Sequence, residues 1–97
     1  MDNDPTRSKF IVAGVSLTLP SHLVRVIGRA DGDIATGDVL VDELDGRELG
    51  TVAKLFAYRR ELEVISSGLT CEIHLVAAVG AEPFRVPSTP WVRRRRA

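Results

Sequence analysis

Apolar and polar residues alternate over Lys9–Thr18 (KFIVAGVSLT), a period-two pattern that predicts a half-buried strand. Strict alternation assigns Ile11, Ala13, Val15 and Leu17 to one side, with Gly14, Ser16 and Thr18 on the other. Pro20-Ser21-His22 interrupts the pattern, and Leu23–Ala30 (LVRVIGRA) resumes extended structure rich in β-branched residues. Two turns follow in quick succession, Asp31-Gly32-Asp33 and Thr36-Gly37-Asp38, with Ile34 alone between them. Val39-Leu40-Val41 predicts a short strand, closed by Asp45-Gly46, a dipeptide favoured in tight hairpins. Farther on, Thr70–Val79 (TCEIHLVAAV) places Cys71, Ile73, Leu75 and Ala77 on one side of a strand. Gly80-Ala81-Glu82-Pro83 ends it, and Phe84-Arg85-Val86 forms a short edge strand before Pro87.

The segment between these strands has two readings. As a helix over about 47–65, Asp45 is the N-cap, Glu48 completes a capping-box spacing, and Gly68 closes the end. Leu55, Tyr58, Leu62 and Ile65 keep helical spacing. As a strand, the segment explains Gly50 and Thr51, both poor inside a helix, with Val52 beside them. The local pattern leans to helix, which makes the alternative fold α+β.

Composition narrows the function more than the fold. The 97 residues suffice for one small domain, and 44% apolar with 27% charged residues is the profile of a globular chain. Thirteen basic side chains balance thirteen acidic ones, but four of the basic ones are Arg93–Arg96. Residues 1–92 therefore carry nine positive and thirteen negative charges, a net of −4, which argues against a general nucleic-acid-binding body. The single Cys71 excludes an internal disulfide and a cysteine-cage zinc site. No run reaches the roughly 18 apolar residues of a membrane-spanning helix, and the acidic N-terminus does not suit a signal peptide, so a cytoplasmic location is expected.

The order of the strands resembles the second, β-barrel domain of translational GTPases such as elongation factor Tu. That domain carries a stretch like V-x-G-R-V-x-x-G-x-I-x-x-G-D/E-x-V, and Val26 to Val41 match its spacing through Gly28, Arg29, Gly32, Ile34, Gly37 and Asp38. An aromatic with two basic residues, a Leu, then a small residue and Gly before an apolar strand appears as Tyr58-Arg59-Arg60, Leu62 and Ser67-Gly68. The resemblance spans about residues 9–82. It implies an all-β fold, a small closed antiparallel barrel of the translation-factor domain 2 type; apart from the resemblance, Gly32 and Gly37 reverse the chain twice and let Ile34 turn inward to plug one end of such a barrel. The resemblance also turns the ambiguous segment into a strand over about Gly50–Ala57, followed by irregular structure over Tyr58–Ser67. Three parts are expected: a flexible lead-in (1–8), the barrel (9–87) and a flexible Trp/Arg-rich tail (88–97).

What the family does with this barrel does not carry over. No G-x-x-x-x-G-K-[ST] phosphate loop is present. The tRNA-holding positions of the family correspond to Leu17, Leu69 and Thr70, and leucine neither stacks a base as an aromatic does nor accepts a hydrogen bond as a carboxylate does. Ser21-His22 replace an Arg-Gly turn.

Other chemistry is sparse. Cys71 and His74 have C-x-x-H spacing, but residues three apart on a strand face opposite ways and cannot share a metal. Asp31, Asp33 and Asp38 lack the ligand spacing of a calcium loop and are expected as turn carboxylates. No G-x-S-x-G elbow accompanies Ser21-His22 or Ser66-Ser67-Gly68, so no catalytic, cofactor-binding or metal residue is assigned and no enzyme activity is expected. The expected role is a noncatalytic binding module that mediates a protein–protein interaction. Its candidate contacts are Tyr58, Arg59 and Arg60, and Trp91 with Arg93, Arg94, Arg95 and Arg96. The alternative is a small RNA- or ribosome-associated protein binding weakly through that arginine run, with self-association also open.

Overall fold

Extended structure prevails throughout the residues that the computed structural model describes, which are 8–16, 23–44, 46–78 and 90–94. The strands are β1 (Lys9–Ser16), β2 (Leu23–Asp31), β3 (Ile34–Ala35), β4 (Val39–Asp42), β5 (Glu48–Ala57), β6 (Arg60–Leu62), β7 (Val64–Ile65), β8 (Thr70–Ala77) and β9 (Trp91–Arg94). Neighbours run β4-β9-β1-β2-β8-β5, and β5 pairs back to β4, so an antiparallel six-stranded barrel closes on itself. Closure leaves these six strands without an open sheet edge. The all-β barrel is therefore the fold. Among the described residues there is no helix, and the helical reading of 47–65 is replaced by β5, β6 and β7.

The residues of the helical reading, Leu55, Tyr58, Leu62 and Ile65, are distributed over β5, the turn, β6 and β7, and β5 itself carries two bulges. Leu49, Val52 and Leu55 are all buried at spacings of three, as on a helix face. On β5 this spacing survives because the register against β8 slips between Val52 and Lys54, and that against β4 slips between Leu40 and Val41. Each slip admits an extra residue and restores the inward direction. Ala53 and Lys54 are consequently both exposed.

A third bulge corrects the expectation for β1. Phe10 and Val12, not Ile11 and Ala13, face the core, since Phe10 is fully buried while Ile11 is 37% exposed. The register against β2 slips between Val12 and Gly14, which flips the phase and lets Val15 pack on the core as expected. Gly28 on β2 serves this packing. A Cβ there would sit 2.2 Å from the Ile11 carbonyl oxygen and 2.9 Å from the Phe10 ring, so only glycine fits.

The double turn behaves as its glycines imply. Gly32 and Gly37 have φ of 110° and 90°, a region that penalises any Cβ. Between them Ile34 is fully buried, and β3 pairs with β7, so Ile34 and Ile65 stop one end of the barrel. Burying Ile34 contributes about 1.5–3 kcal/mol. Backbone bonds fix the turn from both sides: Gly37 N–H donates to Val52 O at 2.8 Å, and Val52 N–H donates to Asp38 O at 2.8 Å. The Asp38 carboxylate accepts from Ala35 N–H at 2.8 Å, the turn-carboxylate role expected of it.

The C-terminal expectation is overturned. Residues 91–94 are not a flexible tail but β9, wedged between β1 and β4, and without it the barrel does not close. Trp91 is 3% exposed and Val92 1%, and Arg93 N–H donates to Ser8 O at 2.8 Å. Ser8, the last residue of the expected lead-in, is itself buried, so the barrel begins one residue before its expected start at Lys9. Irregular structure over Tyr58–Ser67 is likewise corrected, because β6 pairs with the far end of β5 and β7 with β3. Residues 1–7, the first-strand end at Leu17 and Thr18, Ser21-His22, Asp45, and the edge strand expected at Phe84–Val86 lie outside the described residues.

Candidate partner-binding surface

Tyr58 and Arg59 form a two-residue loop between β5 and β6, since Ala57 pairs with Arg60. Both have positive φ, 53° and 63°, as a type I′ turn requires. Such turns favour Asn-Gly or Asp-Gly, because bulky side chains resist left-handed backbone by about 1–3 kcal/mol per residue. Here a Tyr that is 78% exposed and an exposed Arg hold these positions. Neither side chain is repaid by burial. Arg60, the third sequence-predicted residue of this group, is exposed at the start of β6.

Beside the loop lies a cleft of about 380 Å³, lined by Ile27, Phe56, Ala57, Tyr58, Arg59, Thr70, Cys71 and Glu72. Register brings its parts together, for Ile27 on β2 and Phe56 on β5 both stand opposite Glu72 on β8. One position along, Arg25 and Lys54 flank His74. Glu72 is engaged twice: His74 Nε2–H donates to Oε2 at 2.6 Å, and Arg25 Nε lies 3.1 Å from Oε1. The Arg25 contact is an ion pair without hydrogen-bond alignment, so its Nε has no hydrogen-bond partner. Partial burial pushes the Glu72 carboxyl up, but the hydrogen bond from His74 and the Arg25 charge outweigh it and hold it below the ordinary value. The His74 ring also packs on Phe56, with centroids 4.8 Å apart. This network fixes the wall of the cleft.

Inside the barrel, directly behind the cleft, Cys71 is buried and its thiol is pushed up to about 11 by desolvation. Cys71 faces inward and His74 outward, as strand geometry requires, and they share no site. Among the described residues no group of three His, Cys, Asp or Glu side chains gathers to hold a metal ion.

The second predicted contact group is taken apart by the structure. Trp91 is a core residue rather than an exposed anchor. Arg93 is half-buried, donates through its guanidinium to Asp33 O at 3.0 Å, and lies 3.8 Å from the Asp38 carboxylate. It ties β9 to the double turn. Arg94 pairs with Val39 in the ladder, while Arg95 and Arg96 lie outside the described residues. Residue patterns alone singled out Tyr58, Arg59 and Arg60 but passed over Ile27, Phe56, Thr70, Glu72 and His74. The outward positions of β2 and β8 were readable from alternation, but the register that joins them to Phe56 was not.

No protein-family model, no curated protein and no solved structure matches this chain.

Proposed function

We infer that the chain is a noncatalytic protein-interaction module whose contact is the Tyr58-Arg59 hairpin tip with the adjoining cleft. The supporting observation is the pair of non-glycine residues held at positive φ with their side chains in solvent. A turn under pressure for stability alone would carry Asn-Gly; backbone strain retained with exposed Tyr and Arg favours contact, since these residue types dominate interface energetics. The scaffold reading is a barrel of the translation-factor domain 2 type. It is supported by the strand over Gly50–Ala57, which that resemblance implies. The RNA reading loses two of its contacts, because Trp91 and Arg93 are occupied within the barrel.

The test is partner capture from native extract by the full chain and by a Tyr58→Asn, Arg59→Gly variant. That variant supplies the preferred turn residues and keeps the fold. Loss of a specific partner in the variant, with retention in an Arg95→Ala, Arg96→Ala variant, supports the reading. Undiminished capture by the hairpin variant contradicts it.

A further inference from the structure

Charge on this barrel is unevenly placed. Of the nine basic residues within positions 1–92, Arg25, Arg29 and Lys54 occupy outward positions of β2 and β5, and Arg59 lines the cleft above them. Arg29 stands opposite Thr70, which also lines the cleft. Three acidic residues share this face: Asp31, two positions beyond Arg29 on the outward side of β2, Glu61 opposite Phe56, and Glu72, which is already held by Arg25 and His74. Among the described residues Arg29, Lys54 and Arg59 have no ion pair. With Arg25, Arg29, Lys54 and Arg59 against these three carboxylates, the face keeps a net charge of +1 on a body whose net charge over residues 1–92 is −4.

We propose that this cleft binds an acidic peptide segment, with an apolar side chain seated against Ile27, Phe56 and Ala57 and flanking carboxylates on Arg29 and Arg59. The proposal rests on the protein-interaction reading above and specifies the partner's chemistry. A volume of about 380 Å³ lies within the range of small-ligand pockets and has room for a large side chain. Guanidinium forks suit carboxylates, and those of Arg29 and Arg59 are unspent. The features favour a peptide over a single-stranded RNA. Asp31, Glu61 and Glu72 interrupt the cations where a phosphate track needs continuity. A chain of alternating carboxylate and apolar groups fits the same interruptions.

The experiment is an amide NMR titration of the full chain with a synthetic peptide alternating glutamate and leucine. A glutamine–leucine counterpart and a uridine oligonucleotide form the other two arms. The expected result is saturable shifts at Ile27, Phe56 and Thr70 with the glutamate peptide, and affinity at least about tenfold lower in an Arg29→Glu, Arg59→Glu variant. Both substituted side chains are exposed, so the variant keeps its fold. Absence of shifts at the cleft, equal affinity for the glutamine peptide, or tighter binding of the oligonucleotide there each overturns the proposal. If the hairpin variant loses its native partner while the glutamate peptide leaves the cleft unshifted, the proposal falls and the interaction reading stands.

Discussion

Two reversals of the chain, the double turn at 32–37 and the hairpin tip at 58–59, meet the same backbone demand in opposite ways. Both need positive φ. The double turn uses Gly32 and Gly37, buries Ile34 completely, and is braced by Val52, Asp38 and Arg93. The hairpin tip uses Tyr58 and Arg59, leaves both in solvent, and is braced by little beyond the short β5–β6 ladder. One reversal is built for stability. The other accepts strain and presents an aromatic and a cation, and that contrast separates the scaffold from the proposed contact surface.

Substitutions can break each side of the contrast in turn. The largest effect belongs to the scaffold: Trp91→Ala removes a core aromatic from the strand that closes the barrel and should destabilise by about 3–5 kcal/mol in urea unfolding. A flexible tail would show no such loss. Next, Gly37→Ala places a Cβ at φ of 90° and should cost about 1–3 kcal/mol, whereas substitution of Arg59, also at positive φ, by Ala should leave stability nearly unchanged. The smallest effect is a pH dependence at the cleft wall. Because the Glu72 carboxyl is held below its ordinary value of 4.5, its stabilisation is fully present above that value and is lost as pH falls through the lower folded value. Glu72→Gln should flatten the unfolding free energy across that acid window and leave its shape near neutrality intact.

Much of the barrel was legible in the sequence. Pattern located β2, β4 and β8, and alternation named the inward side of β8, Cys71, Ile73 and Leu75, because no bulge disturbs its pleat against β2. In β1 the extra residue at Ala13 reversed the phase, so the face named from strict alternation was wrong before it and right after it. In the middle segment Leu55, Tyr58, Leu62 and Ile65 kept helical spacing although they lie on β5, the turn, β6 and β7; Gly50 and Thr51 and the family resemblance were what favoured a strand. β9 was hidden for another reason. An arginine run looks like a solvated tail, and nothing local reveals that Trp91 and Val92 fill the gap between β1 and β4. The contact surface was half visible: the aromatic-basic loop stood out, whereas the cleft is assembled from three strands distant in sequence, by a register that composition does not encode.

Equilibrium urea unfolding of the Tyr58→Asn, Arg59→Gly chain tests the central contrast most directly. A gain of about 1–2 kcal/mol over the parent chain is expected, because Asn and Gly accept positive φ where Tyr and Arg resist it. An unchanged or lower unfolding free energy would mean that the tip carries no strain, and the distinction drawn between the two reversals would be lost.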